Sequence, residues 1–422
     1  MMYFYRMKNS TIAFNPLSMP TYVMAKPNGS SCNLNCAYCY YLEKEKLYEN
    51  RKNLQMSDQT LEKYIESYIQ AQPVPEVLFT WHGGEPLLRD ISFFRKVLAF
   101  QKRYGRGRII DNSLQTNGTT LTDDWCKFLK DNNFLIGISI DGPEHCHDVY
   151  RKNKGGKGTF KQVMHGIELL QKHQVEFNTL SVINDYNVDY PLEIYHFFKE
   201  IGSQYMQFSP IVEQVSKTRS DGLCLLPPEG SDDAVLAPWT VDAKKFGQFY
   251  ITIFDEWVKK DVGKYYVQLF DATLAGTVGS MPGVCIFGET CGHATVMEFN
   301  GDVYACDHFV FPEFKLGNIR THTIYEMVFS QKQLRFGADK RDMLPGQCLQ
   351  CQFKKLCNGE CPKNRIIHTK TGEPGLNYLC EGYYAFWKHT QPYMEFMANE
   401  LLFKRAPANV MFWNSPHLNP IR

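Results

Sequence analysis

Fourteen cysteines in 422 residues constrain this chain more than any other feature, because of where they fall. Three lie at Cys32, Cys36 and Cys39, and eight lie between Cys285 and Cys380. Cys126, Cys146 and Cys224 stand alone between those groups. An even count invites seven disulfides, but a chain this long buries enough core to need no staples. Residues 1–9 carry neither the sustained apolar run nor the small-residue cleavage site of a secretory signal. No stretch approaches ~18 consecutive apolar residues, so no membrane span is expected. A cytoplasmic chain with this many cysteines is expected to bind metal rather than bridge its thiols. Charge excludes another class: 46 basic against 45 acidic side chains, a net +1, lack the basic excess of a nucleic-acid binder.

Between the two cysteine groups, short apolar or β-branched runs at 22–26, 77–81, 108–114, 135–140, 176–183 and 205–210 alternate with helical periodicity. The helical stretches are 58–71, 91–104, 123–132, 159–173 and 192–201. Six βα repeats predict a parallel sheet wrapped by helices, and six are fewer than the eight of a full barrel. The pattern by itself admits either a partial barrel or an open sheet. In both, ligands gather at the carboxyl ends of the strands. Cys32–Cys39 follows the first strand, His82-Gly83-Gly84-Glu85-Pro86 the second, Gln115-Thr116-Asn117-Gly118 the third and Asp141-Gly142-Pro143 the fourth. Each loop alone is an ordinary turn signal, but four on one rim make a site.

Cys32-x3-Cys36-x2-Cys39 is the most specific short signal. Three thiolates on a tight loop fall one short of tetrahedral zinc, and the intervening Asn, Leu, Ala and Tyr offer no good fourth ligand. A four-iron cubane takes one cysteine on each of three irons and leaves the fourth open for another molecule. With Tyr38 before the last cysteine, the motif resembles that of the radical S-adenosylmethionine superfamily. The resemblance implies S-adenosylmethionine as cofactor on that open iron. It places Gly83, Gly84, Glu85, Ser139, Arg151 and the backbone of Val212 around the cofactor, with Tyr38 beside it.

The second group reads Cys285-x5-Cys291-x14-Cys306, then Cys348-x2-Cys351-x5-Cys357-x3-Cys361-x18-Cys380. Residues 294–305, with Asn300-Gly301 at the centre, predict a β-hairpin with a type I′ turn that would bring Cys291 and Cys306 together. Cys357 and Cys361 lie four apart, one helical turn. The spacings permit two all-cysteine zinc sites. They also resemble the SPASM extension of peptide-modifying radical enzymes, which implies two auxiliary [4Fe–4S] clusters. In that pattern Cys285, Cys291, Cys306 and Cys361 hold one cluster, and Cys348, Cys351, Cys357 and Cys380 hold the other. The fold implied is a partial (β/α)6 TIM-type barrel followed by a cysteine-rich SPASM domain. The expected boundaries are an extension at 1–18, the barrel at 19–240, a connecting helical segment at 241–282, the SPASM domain at 283–385 and a C-terminal helix and tail at 386–422.

Four segments narrow the resemblance to anaerobic sulfatase-maturating enzymes: 113–119 (SLQTNGT), 306–309 (CDHF), 317–319 (GNI) and 376–378 (LNY). That family oxidises the cysteine or serine of a Cys/Ser-x-Pro-x-Arg sulfatase motif to Cα-formylglycine. The implied partners are the unfolded or nascent sulfatase and a reductant such as flavodoxin or ferredoxin. Oxidation removes a Cβ hydrogen atom, a proton and one further electron. Asp307, beside Cys306, is the candidate base, with the shifted pKa that such work needs. Tyr41 and His82, near the cluster loop, are candidates to line the peptide site. Competing readings are a SPASM maturase forming thioether or carbon–carbon crosslinks and a non-catalytic iron–sulfur electron carrier. Cys126 reads as buried core. His145-Cys146-His147 on an expected loop lacks a second ligand pair, so it is not read as a metal site. The polar stretch 216–242 is expected to be a linker or a flap.

Overall fold

The computed structural model describes residues 20–49, 53–216, 224–226 and 233–413. The expected extension at 1–18, much of the 216–242 stretch and the tail beyond 413 lie outside the described residues. Six strands run parallel in chain order: β1 (Tyr22–Ala25), β2 (Glu76–Trp81), β3 (Ile109–Thr116), β4 (Leu135–Ser139), β5 (Phe177–Ile183) and β6 (Tyr205–Pro210). Helices α1 (Asp58–Gln70), α2 (Ile91–Tyr104), α3 (Asp123–Asp131), α4 (Glu144–Tyr150), α5 (Phe160–Lys172) and α6 (Pro191–Glu200) fill the connections. Helix starts were sharply legible because Ser57, Asp90 and Thr122 are caps, their side-chain oxygens accepting from the N–H groups of Thr60, Phe93 and Trp125. Helix α4 is a correction: residues 144–148 were expected in a loop. Seven residues are too few for a periodic signal, and His147 is fixed inside by Asp141 N–H and the Thr159 hydroxyl.

The sheet continues past the sixth strand. A small ribbon, β7 (Gln214–Val215) with β8 (Val235–Leu236), leads to α7 (Ala243–Lys260), and β9 (Tyr266–Val267) then pairs parallel with β6 before α8 (Gln268–Thr277). The cysteine-rich segment adds β10 (Ala294–Met297), parallel to β1, and then β11 (Asp302–Tyr304) and β12 (Lys315–Asn318), antiparallel. The ten strands stand in the order β12-β11-β10-β1-β2-β3-β4-β5-β6-β9, so the barrel is partial and its β1 edge is covered by the cysteine-rich segment. Helices α9 (Ile324–Val328), α10 (Gln331–Asp342), α11 (Gly346–Leu349), α12 (Lys354–Cys357) and α13 (Cys380–Leu402) complete the chain. Among the described residues no helix is long and apolar enough to cross a membrane.

Side-chain alternation along each strand separates core from site. Val77, Phe79 and Trp81 of β2 face the helices, where Trp81 meets Tyr64, Phe93 and Phe94 edge-on. The opposite face is polar and cross-linked: Tyr22 OH donates to Thr80 (2.6 Å), Thr80 and Ser113 share a hydrogen bond (2.8 Å), and Gln115 donates to Ser139 (2.8 Å). Helix α13 packs on α7 where Gly247 and Gly382 meet, since a Cβ on Gly247 would lie 2.6 Å from the Gly382 Cα.

Two local expectations are corrected. The 294–305 hairpin does not turn on a two-residue type I′ loop, which requires positive φ at both central residues. Only Gly301 has it (φ 88°), and Glu298 N–H pairs with Asp302 C=O around a three-residue loop. Nor do Cys357 and Cys361 share a helical turn. Helix α12 ends at Cys357, and Asn358, Gly359 and Glu360 are all left-handed (φ 48°, 73° and 53°), so the chain reverses between the two thiols.

Candidate active site

The cluster loop is held against the β2 loop by two backbone hydrogen bonds and by Asn28 Nδ2, which donates to Glu85 C=O (3.3 Å). Gly84 N–H donates to Gly29 C=O (2.8 Å) and Glu85 N–H to Ser31 C=O (2.9 Å). A Cβ on Gly84 would stand 2.1 Å from Ser31 O, so only glycine permits this approach. The Glu85 side chain is fully buried and reaches sideways, accepting from Leu87 N–H, the Thr116 hydroxyl and Asn117 N–H at 3.0, 2.7 and 2.8 Å. Burial pushes its carboxyl up to about 7 against those three bonds. Asn117 in turn donates to Cys32 Sγ (3.7 Å) and Asn33 Oδ1 (2.9 Å). Three strand-end loops are thereby fixed around Cys32, Cys36 and Cys39, whose thiols are free and electrostatically coupled to one another. Burial raises the Cys32 and Cys36 thiols to about 12, so they ionise only with a cation present. The donor set, the glycine cradle and the unpartnered buried Ser30 hydroxyl fit a cubane with a further ligand.

The β4 loop supplies the opposite wall. Asp141, buried, accepts from Tyr38 OH (2.5 Å) and Val182 N–H (3.0 Å) and pairs with Arg151 Nε (3.0 Å). Tyr38 and Arg151, expected near the cofactor, are therefore oriented by a residue the sequence offered only as part of a turn. Ser139, holding Gln115, faces the same interior. Replacing Asp141 with alanine strands a buried guanidinium and a buried phenol. It is expected to cost about 3–5 kcal/mol, read as a lower denaturant midpoint, with Asp141→Asn costing less. Val212 follows β6 with 2% exposure, and its carbonyl accepts from Lys363, which also pairs with Glu213 (2.8 Å). The cysteine-rich segment thus reaches the Val212 loop expected beside the cofactor.

The eight thiols between Cys285 and Cys380 fall into two sets of electrostatic neighbours: Cys285, Cys291, Cys306 and Cys361, and Cys348, Cys351, Cys357 and Cys380. Helix α10 organises the first set. Gln333 Nε2 donates to Gly292 C=O and Ala305 C=O (both 3.0 Å), while Lys340 donates to Cys285 and Ile286 C=O (2.9 and 2.7 Å). Arg365 ties the Cys361 turn to the same helix through Lys340 C=O (2.7 Å). None of these three was anticipated. The signal was present at 333, 337 and 340, positions on one helical face, where polar residues and a glycine stand in place of an apolar stripe.

Asp307 lies where this segment meets the rim. It pairs with Lys26 at the end of β1 and accepts from Tyr40 OH. Its burial alone would raise the carboxyl, but the Lys26 ammonium, with His82 and His308, holds it below the usual carboxylate range. The shift is opposite to the elevation that tunes many general bases, and it leaves Asp307 ionised. Tyr41 is 2% exposed, and its hydroxyl donates to Glu298 at 2.6 Å. His82 is half-buried, its Nδ1 accepting from Gly83 N–H (2.7 Å), and burial lowers its pKa. Lys26, fully buried, was missed, although a lysine closing an apolar strand run was its signal. Away from the rim, Cys126 and Cys146 are buried and Cys224 is exposed.

Known proteins share this arrangement. The family model of the Radical SAM superfamily matches residues 29–198, and that of the SPASM iron–sulfur cluster-binding domain matches residues 285–352. A serine-type anaerobic sulfatase-maturating enzyme of Bacteroides thetaiotaomicron is 56% identical over 405 residues, spanning 96% of this chain and 97% of that protein. A cysteine-type enzyme of Clostridium novyi is 31% identical over 388 residues, 91% of this chain and 98% of that one. The solved structure described as native anSMEcpe with bound AdoMet and Cp18Cys peptide superposes with a TM-score of 0.77 at 29% identity, covering 90% of this chain and 99% of the other. With cluster loop, glycine cradle and cysteine-rich edge all in place, the chain belongs to the anaerobic sulfatase-maturating enzymes, radical S-adenosylmethionine oxidoreductases with a SPASM domain.

Proposed function

We propose that this chain oxidises the serine of a Ser-x-Pro-x-Arg sulfatase motif to Cα-formylglycine. The observation that carries the reading is Asp307, a carboxylate at the rim, one residue from Cys306 and paired with Lys26, where the β1 end meets the cysteine-rich segment. The preference for serine follows the higher identity to the serine-type relative, 56% against 31% for the cysteine-type one. Cys32, Cys36 and Cys39 would hold one [4Fe–4S] cluster and the two sets of four cysteines one auxiliary cluster each. Gly83, Gly84, Glu85, Tyr38, Ser139, Arg151 and Val212 would surround S-adenosylmethionine. Bound there, cluster and cofactor would supply a 5′-deoxyadenosyl radical for hydrogen-atom abstraction at Cβ, and the auxiliary clusters would provide a sink for the remaining electron.

The protein's own part is to position the serine and remove its proton. His82 on the rim lines the peptide, and Tyr41, whose hydroxyl is held by Glu298, backs the Lys26 side of the same site. Asp307 takes the hydroxyl proton, so loss of one hydrogen atom, one proton and one electron leaves the aldehyde. The substrate is read as an unfolded or nascent sulfatase in the cytoplasm, and the electron donor as a flavodoxin or ferredoxin. A pair of synthetic peptides differing only in Ser or Cys tests the assignment. The serine peptide is expected to lose the mass of two hydrogens and become reactive to a hydrazine, faster than the cysteine peptide exchanges sulfur for oxygen. Loss of two hydrogens without hydrazine reactivity would mean a crosslink instead. Absence of 5′-deoxyadenosine would mean an electron carrier.

A further inference from the structure

We propose that Lys26 is the positioning residue of the oxidation step, fixing the Asp307 carboxylate toward the substrate hydroxyl. The proposal rests on the reading of Asp307 as the base. A lysine ammonium with no solvent exposure is rare unless a partner is built around it, and here the partners are specific. Lys26 Nζ pairs with Asp307 Oδ1, while Tyr40 OH takes Oδ2, so both carboxylate oxygens are held from the protein side. On its other side Nζ sits 3.2 Å from the Tyr41 ring centroid, a cation–π contact. The Tyr41 hydroxyl is anchored on buried Glu298, which follows β10 at the base of the hairpin loop (2.6 Å). Lys26 N–H donates to Met297 C=O (2.9 Å), locking its backbone to β10.

Lys26 therefore joins three elements that converge on the site: the strand that opens the cluster loop, the tyrosine pair just past Cys39, and the hairpin that delivers Cys306 and Asp307. A carboxylate on a three-residue turn has little of its own to fix its rotamer. The Lys26 ammonium sets its place. No other described cation is paired with Asp307.

The test is a double-mutant cycle on the reconstituted holoenzyme with Lys26→Met, Asp307→Asn and both together, reading formylglycine formed per 5′-deoxyadenosine. If Lys26 acts through Asp307, Lys26→Met lowers that ratio at least about tenfold, and the double variant is no worse than Asp307→Asn alone. Thermal unfolding supplies a second reading that does not depend on turnover. Each single variant leaves one buried charge unpaired, so the double variant is expected to unfold at a higher temperature than either single. A wild-type ratio in Lys26→Met, or losses that multiply in the double variant, overturns the proposal. If Asp307→Asn itself keeps the wild-type ratio, the assignment of the base has failed instead.

Discussion

Gly84→Ala is expected to reduce 5′-deoxyadenosine formation at least about 100-fold, by displacing the cluster loop rather than by removing any reacting group. The new Cβ would lie 2.1 Å from Ser31 O, 2.5 Å from Ser31 C and 2.6 Å from Ser30 O. All three are backbone atoms, so no side-chain rotation relieves the overlap. The β2 loop must part from the chain leading into Cys32, which breaks the Gly84–Gly29 and Glu85–Ser31 hydrogen bonds. Glu85 would carry the shift to Thr116 and Asn117, and Asn117 to Cys32. Gly155→Ala is the control, since its nearest neighbour is the flexible end of Asn153 at 3.3 Å, and wild-type turnover is expected. Iron content and near-ultraviolet circular dichroism separate a displaced loop from a failed fold. Wild-type 5′-deoxyadenosine formation in Gly84→Ala would sink this account of the cradle.

The parallel half of the fold was legible because each element carries its own local signal. Strands β1–β6 fall on the short runs between the helical stretches, and α1, α2 and α3 open on capping side chains. What escaped lies in elements too short to have a period, α4 and the two-residue β9, and in pairings that sequence order hides. Strand β10 joins β1 across some 270 residues, a contact with no local imprint. The site divides the same way. Cysteine spacing is readable without geometry, so the eleven thiols stand out as candidate ligands from sequence alone. Asp141, Lys26, Gln333 and Lys340 leave only a faint local mark, because each acts on a partner distant in the chain. Lys26 and Asp307 are 281 positions apart and meet only because β10 lies against β1. Their pairing also reversed an expectation: burial would have raised Asp307, and a lysine placed by the same topology lowers it.

Asp307→Asn is expected to lower formylglycine yield by about 10²–10⁴-fold, the range for removal of a general base, while radical formation continues. The amide is nearly isosteric and can still accept from Tyr40, so the rim keeps its shape, but it cannot take up the substrate proton. The buried Lys26 ammonium loses its counter-charge, and this contributes a stability cost that a denaturant midpoint measures. A peptide deuterated at the serine Cβ resolves the steps. In the variant, deuterium should still appear in 5′-deoxyadenosine, because hydrogen-atom abstraction precedes proton loss. Aldehyde, trapped with a hydrazine, should fall far behind the deuterium transferred. Asp307→Glu moves the carboxylate along the same vector by one methylene, so partial recovery of aldehyde is expected from a group whose function is to accept a proton. Recovery absent in Glu but complete in Asn would show that Asp307 shapes the turn beside Cys306 and that the proton leaves by another route.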